Sequence, residues 1–289
     1  MTNPLIPENA GLVLEGGGLR GTFSAGVIRF IMEQKIEFPY VIGVSAGACN
    51  GSNYVSRQID RNKIVNIDFI NHPEYISVKR WLTGGDLFGM DFLFDALPNS
   101  LAPFDYKAFL ASHQKMVIGA TDCHTGKAVF HSQHDLQADY LPFLRASCSL
   151  PLLAKPVFFN GMTLMDGGLS DPIPIQKCIS DGIKKQVVVL TRPEHYRKKK
   201  SKLAGLMSWK FRAFGGLVEL MKHRHDYYNA ALKEIEQLEK DGSAFVFRPS
   251  KDQTISRTER DEKKLIAAYE AGYQLVRRRL DEFKEFLEM

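Results

Sequence analysis

The chain has 289 residues, 44% of them hydrophobic and 25% charged, and a formal net charge of +5. That suits one large α/β domain or two modest ones. No apolar run approaches the ~18 residues that would span a bilayer, and residues 1–9 carry neither the basic nor the apolar part of a secretory leader, so a cytoplasmic protein is expected.

The four cysteines, Cys49, Cys123, Cys148 and Cys178, are widely spaced and read as reduced, mostly buried thiols. Charge is uneven along the chain. Residues 1–191 hold 16 basic and 17 acidic residues, net −1, whereas 192–289 hold 22 and 16, net +6. Within the latter, 192–224 has 10 basic and 2 acidic residues, net +8, which suits an anionic partner.

In chain order, Gly11-Leu12-Val13-Leu14-Glu15 reads as a buried strand running into Gly16-Gly17-Gly18-Leu19-Arg20-Gly21. Phe23, Val27, Phe30 and Ile31 then fall at helical spacing. A second apolar strand, 38–44, ends in Gly43-Val44-Ser45-Ala46-Gly47 and small residues that open a helix. Strand alternating with helix in this order predicts a mostly parallel sheet with helices on both faces.

Residues 57–115 mix aromatics, glycines and prolines, and suggest short helices and loops that roof a site. Strands are predicted at 116–121 and 127–131 around Gly126, and at 157–159 and 162–165 around the hairpin signal Asn160-Gly161. The second hairpin strand ends at Asp166-Gly167-Gly168. Val187 to Leu190 is apolar throughout, as a central parallel strand is. Residues 203–240 read as helix broken near Gly205 and Gly215-Gly216, and Ala244 to Phe247 as one more strand. Ser256-Arg257-Thr258-Glu259 has the form of a capping box opening a long final helix. The one linker predicted is Arg192 to Lys202.

Gly43-Val44-Ser45-Ala46-Gly47 matches the G-x-S-x-G nucleophile elbow. A serine on a sharp strand-to-helix turn has an exposed hydroxyl, and glycines two residues to either side leave room for neighbouring backbone. The earlier glycine loop has two readings. It fits G-x-G-x-x-G, with Glu37 as the acid of a dinucleotide site. It also fits an oxyanion hole, in which Gly16, Gly17 and Gly18 let backbone N–H groups converge on a carbonyl oxygen. The elbow at Ser45 favours the second. Arg20 either binds a substrate phosphate or locks the loop to backbone carbonyls. Asp166 is placed as a general base would be, although an Asp-Gly turn alone has the same form.

Gly16 to Gly21, Gly43 to Gly47, the loop Ala146-Ser147-Cys148-Ser149-Leu150-Pro151 and Asp166-Gly167-Gly168, in that order, resemble the signature blocks of the patatin-like phospholipase family. The likeness covers residues 8–190 and does not extend well over 196–289. It implies an α/β/α three-layer sandwich over 1–195, to which the residue pattern adds a mostly helical C-terminal extension over 196–289 that returns a strand at 244–247. It implies lipid acyl hydrolysis by a Ser45–Asp166 dyad, with Gly16 to Gly18 as the oxyanion hole and no cofactor or metal. One departure is Asp171-Pro172, where the family often has Asn-Pro, leaving a second carboxylate near the base.

Three alternatives stand beside this reading. They are a Ser-His-Asp carboxylesterase on small esters, using His195, His223 or His225; a dinucleotide-binding protein; and a non-catalytic adaptor on a membrane surface. His131, His134 and Asp135 lack a third and fourth partner for a metal. The expected partners are a lipid or other ester substrate and, peripherally, an anionic membrane surface, with no recognised nucleic-acid motif. Arg197 to Lys202, followed by Leu203, Leu206, Met207, Trp209, Phe211 and Phe214, is either a solvated loop and core helix or an interfacial segment.

Overall fold

The computed structural model describes residues 4–201 and 204–288, so Lys202 and Leu203 of the basic segment lie outside the described residues. Eight strands form one sheet: β1 (Ala10–Leu14), β2 (Tyr40–Val44), β3 (Lys115–Asp122), β4 (Ala128–Ser132), β5 (Val157–Phe159), β6 (Met162–Asp166), β7 (Lys185–Val189) and β8 (Ala244–Phe247). The pairing order is β5-β6-β3-β2-β1-β7-β8, with β4 on β3. The β3-β2-β1-β7-β8 part is parallel, while β4, β5 and β6 are antiparallel additions.

The parallel strands are apolar on both faces because helices cover both. Leu12, Leu14, Val41, Val187, Val189, Phe245 and Phe247 face one core, while Val13, Tyr40, Ile42, Val188, Ala244 and Val246 face another. The principal helices are α1 (Gly21–Glu33), α2 (Ala46–Val55), α3 (Tyr140–Ser147), α4 (Ile175–Ser180), α5 (Ala204–Lys210), α6 (Gly215–Lys240), α7 (Glu262–Arg278) and α8 (Leu280–Glu288). Side chains of α1, α7 and α8 enter the first core, and those of α4 and α6 the second. This is a three-layer α/β/α arrangement, with a C-terminal region that is helical apart from β8. Among the described residues no helix is long and apolar enough to cross a membrane.

Three local expectations need correction. The final helix is not opened by Ser256 to Glu259. Its N-cap is Asp261, whose carboxylate accepts from the N–H groups of Lys263 and Lys264, and the helix breaks at Arg279 before α8. An aspartate accepting two N–H groups outcompetes a Ser/Glu pair a turn earlier. Gly205 lies within α5 rather than at a break; the break is 211–214. The predicted linker is tethered. Lys198 N–H donates to Asn229 Oδ1 (2.8 Å), Asn229 Nδ2 donates to the Lys198 carbonyl (3.0 Å), and Arg197 pairs with Glu236 (2.8 Å).

Helices α1 and α7 pack backbone to backbone. A Cβ on Gly26 would stand 1.9 Å from the Tyr269 carbonyl oxygen, and one on Gly272 2.1 Å from that of Phe23. Helix propensity alone says that Gly26→Ala gains about 1 kcal/mol. The steric clash should win because neither helix backbone can yield, for a net loss of about 1–3 kcal/mol. Thermal unfolding measures it, and an unchanged or raised Tm would show that the crossing is looser than described.

Candidate active site

Ser45 follows β2 directly and caps α2 with φ 54° and ψ −129°. A non-glycine residue held there carries about 1–3 kcal/mol of strain. Two devices impose it. A Cβ on Gly43 would stand 2.7 Å from the Gly47 carbonyl carbon, and one on Gly47 2.4 Å from the Leu14 carbonyl oxygen, so strand and helix approach to backbone contact. The Ser45 N–H also donates to Ser147 Oγ (2.9 Å), and the Ser147 hydroxyl donates to the Gly119 carbonyl (2.6 Å). Ser147 is fully buried at the end of α3. The sequence marked its loop only as closely packed; its bond to the elbow joins positions 102 residues apart.

Sheet register brings Asp166 to Ser45. Val44, the last residue of β2, is paired with Gly119 of β3, and Asp166, the last residue of β6, is paired with Ala120. β4 occupies the other side of β3 along 117–121, so β6 continues on the side where β2 stops. The two side chains therefore flank β3 at successive positions and line one pocket. Asp166 is pinned at its backbone, where its N–H donates to the Ser149 carbonyl (2.9 Å) and its carbonyl accepts from Thr121 Oγ1 (2.8 Å). Its Oδ1 accepts from the Gly168 N–H (2.8 Å), while Oδ2 is buried without a hydrogen-bond partner among the described residues. Burial pushes this carboxyl's pKa up, and the Ser45 hydroxyl, Arg224, the Gly168 N–H and Arg257 hold the rise back.

The glycine loop closes the same pocket, lined by Gly16, Gly17 and Gly18. The Gly16 N–H faces the Pro172 carbonyl at 3.5 Å, and the Leu19 N–H donates to the Arg257 carbonyl at 3.0 Å. The N–H groups of Gly17 and Gly18, at the start of the short helical turn Gly18–Arg20, have no acceptor among the described residues.

Glu37, the acid of the dinucleotide reading, precedes β2 and pairs with Arg57 and His113. The glycine loop follows β1, which runs parallel to β2, so Glu37, ahead of β2, lies at the opposite end of the strands from it. Asp171 faces away, lining a surface groove with Ser170 and Glu234; burial and the Glu234 charge push its carboxyl up to about 7. His195 lies in a groove with Glu236 and Arg248, and His223 and His225 are near Asp226, so none lines the Ser45 pocket. His131 packs on Phe143, and Asp135 caps the turn after β4. Among the described residues no three His, Cys, Asp or Glu side chains group to hold a metal ion.

Ser45 lies where two chambers meet. One is a cleft lined largely by apolar side chains such as Tyr75, Phe88, Leu93, Phe94, Phe104 and Leu144. Residues 57–115 supply much of it, including the wide helical turns Ile64–Asp68 and Phe92–Leu101. Cys49 and Cys148 also line it, with sulfurs 3.6 Å apart, and the contact and burial push the Cys148 thiol up. The other chamber is polar and lined by Glu15, Arg20, Asp166, Lys198, Arg224, Tyr228 and Arg257. Arg20 was marked from sequence. The other cations were not, because they come from separate stretches that only the fold assembles.

A family model described as "Patatin-like phospholipase" matches residues 12–179, and a second, "Domain of unknown function (DUF6363)", matches 214–288. An uncharacterized Escherichia coli protein, YjjU, is 31% identical over 66% of this chain and 54% of its own length. The chain thus spans about half of that relative. The Bacillus subtilis protein YqhO, also uncharacterized, is 24% identical over 90% of this chain and 94% of its own. Lysophospholipase NTE1 of Kluyveromyces lactis is 26% identical over 64% of this chain, but only 13% of that protein is covered. Among solved structures, VipD from Legionella pneumophila superposes with a TM-score of 0.57 over 96% of this chain and 67% of its own, at 15% identity, which is a likeness of fold.

The Asp171 carboxyl supplies a test by pH. Its folded pKa of about 7 lies above the ordinary value of 3.8, so its contribution to stability is full below about pH 4 and falls as pH rises to 7. Asp171→Asn removes that loss. Its Tm advantage over wild type should be near zero at pH 4 and grow to a plateau above pH 7, followed by calorimetry. A pH-independent difference would contradict the burial of this group.

Proposed function

This chain belongs to the patatin-like phospholipase family, and from that premise we propose that it is a lipid acyl hydrolase working through a Ser45–Asp166 dyad. The observation that carries the reading is the buried, unpartnered Oδ2 of Asp166 in the pocket of a strained serine. A buried carboxylate without a partner is costly, and such an atom is retained where it accepts a proton.

In this mechanism Asp166 takes the Ser45 proton as Oγ attacks the ester carbonyl carbon. Its raised pKa improves the match to a hydroxyl. The negative oxygen of the tetrahedral intermediate is received by the N–H groups of Gly17 and Gly18, helped by the N-terminus of α2. Collapse expels the alcohol, which takes the proton from Asp166, and leaves an acyl-enzyme on Ser45. Water then attacks with Asp166 as base, releasing the fatty acid. The acyl chain occupies the apolar cleft. Gly43 and Gly47 serve the elbow, and Ser147 holds it.

Ser45→Ala should abolish both turnover of a short-chain ester and covalent labelling by a fluorophosphonate, with an unchanged circular dichroism spectrum. Asp166→Asn should lower kcat by about 10²–10⁴, while alanine at His195, His223 or His225 should cost less than about threefold, being outside the pocket. Since the base must be ionised, kcat/KM should fall as pH drops through a value above the ordinary aspartate pKa of about 3.9. Turnover in Ser45→Ala, or a large loss from one histidine beside an active Asp166→Asn, would replace the mechanism.

We also read α5 as a peripheral contact with an anionic lipid surface. Leu206 and Trp209 are exposed while Phe211 is buried, so the helix turns apolar side chains outward beside exposed Lys199 and Lys200. Interfacial helices combine such features. Leu206→Ser with Trp209→Ser should reduce co-sedimentation with anionic vesicles severalfold and leave turnover of a monomeric ester within twofold. Equal sedimentation of variant and wild type would make this face ordinary solvated surface.

A further inference from the structure

The polar chamber holds more buried positive charge than its fold requires. Arg20 is 9% exposed and its Nε has no hydrogen-bond partner among the described residues. Arg224 donates Nε and Nη2 to the Gly168 carbonyl (2.9 and 2.7 Å), a neutral acceptor. Lys198 Nζ lies 4.8 Å from the Tyr228 ring centroid, its backbone clamped by Asn229. Arg257 holds the glycine loop by its carbonyl while its side chain lines the pocket. None of the four makes an ion pair within 4 Å among the described residues. Of the two carboxylates present, Glu15 has both oxygens occupied, by the Thr191 N–H (2.5 Å) and the Tyr228 hydroxyl (2.7 Å), and Asp166 accepts from the Gly168 N–H at Oδ1 alone. Four basic side chains against two carboxylates leave the chamber net positive.

Cations gathered in a partly desolvated site without counter-ions repel one another and destabilise the fold unless an anion completes the set. Burial and neighbouring cations, Arg224 foremost for Lys198 and Arg192 foremost for Arg20, bring Lys198 down to about 7 and Arg20 to about 10. A surface would solvate these side chains. Here the fold holds them around the mouth of the apolar cleft, with Ser45 between.

We propose that Arg20, Lys198, Arg224 and Arg257 form a subsite for a doubly charged phosphate monoester on the polar head of the substrate. The proposal rests on the reading of Ser45 as nucleophile and narrows the substrate to a single-chain acyl ester whose head group is a terminal phosphate. The chain enters the apolar cleft, the ester lies at Ser45, and the phosphate sits among the cations on the other side. A dianion suits a chamber crowded with basic side chains better than a single charge does. A choline diester brings one negative charge and a quaternary ammonium that the cluster repels. Three of the four cations come from beyond residue 195, and Arg224 and Arg257 lie within the region matched only by a domain of unknown function, which thereby acquires a part in substrate selection.

Binding is measured first on Ser45→Ala, so that it does not depend on turnover. Isothermal titration below the critical micelle concentration compares a monoacylglycerol phosphate, the choline diester and the neutral monoacylglycerol of the same chain, with inorganic phosphate as a separate arm. The phosphate monoester should bind at least tenfold tighter than either other lipid. Lys198→Gln and Arg257→Gln in the Ser45→Ala background should each remove most of that preference while changing affinity for the neutral lipid less than twofold. In the Ser45-containing enzyme the same variants should raise KM for the phosphate monoester more than they lower kcat. No preference in Ser45→Ala, or equal loss for charged and neutral lipids in the variants, overturns the subsite. Inorganic phosphate binding as tightly as the phosphate lipid overturns its assignment to a head group. Tight selective binding by Ser45→Ala with no hydrolysis by wild type would sustain the subsite and sink the hydrolase reading.

Discussion

The backbone of Ser45 is the constraint on which the site depends. A φ of 54° is unfavourable for serine, and the chain tolerates it because alternatives are closed on every side. Gly43 puts β2 against α2 and Gly47 puts α2 against the end of β1, with no Cβ between them, and the N–H of Ser45 is taken by Ser147, itself tied to Gly119. Gly119 is the residue opposite Val44 and the neighbour of Ala120, which is opposite Asp166. One short stretch of β3 thus positions the elbow, its brace and the carboxylate together.

Charge organises the other side. Glu15 stands at the end of β1 with both oxygens occupied, and around it gather cations from the glycine loop, the 192–202 segment, α6 and the loop before α7. Arg224 and Tyr228 are four residues apart on α6 and so share a face that looks into the pocket. Asn229, the next residue, clamps the backbone of Lys198. The C-terminal region therefore helps to wall the site, besides adding β8 to the sheet.

Much of this was legible in sequence. The parallel strands declared themselves as apolar runs, and the order of the glycine loop, the elbow, the Ser147 loop and Asp166-Gly167-Gly168 pointed to one family, which the match over 12–179 bears out. Short-range signals carry such information because turns and strand ends impose their own chemistry. What remained hidden was long-range. Nothing local tells that Lys198 is pinned inward and Lys199 and Lys200 are not, since the difference lies in Asn229, 31 residues on. The cap of α7 was misplaced because the Ser256 to Glu259 pattern stands just ahead of Asp261, whose carboxylate accepts from the N–H groups of Lys263 and Lys264. Nor could spacing show that Cys49 and Cys148 touch.

The position of β1 bears on how the molecule comes into being. Its two neighbours in the sheet are β2, which follows almost at once, and β7, whose first residue opposite Ala10 is Lys185. A chain emerging from the ribosome can form the β1–β2 pair early, yet the strand's other edge stays open until most of the polypeptide exists, and β7 in turn waits for β8. The acceptor for the Leu19 N–H, the Arg257 carbonyl, is later still. The nascent protein therefore passes through a stage with an apolar, unpaired strand edge beside an unfinished glycine loop, the stage at which a holdase chaperone has the most to shield. The pocket therefore gains its last lining residue, Arg257, only after every strand of the sheet has been made.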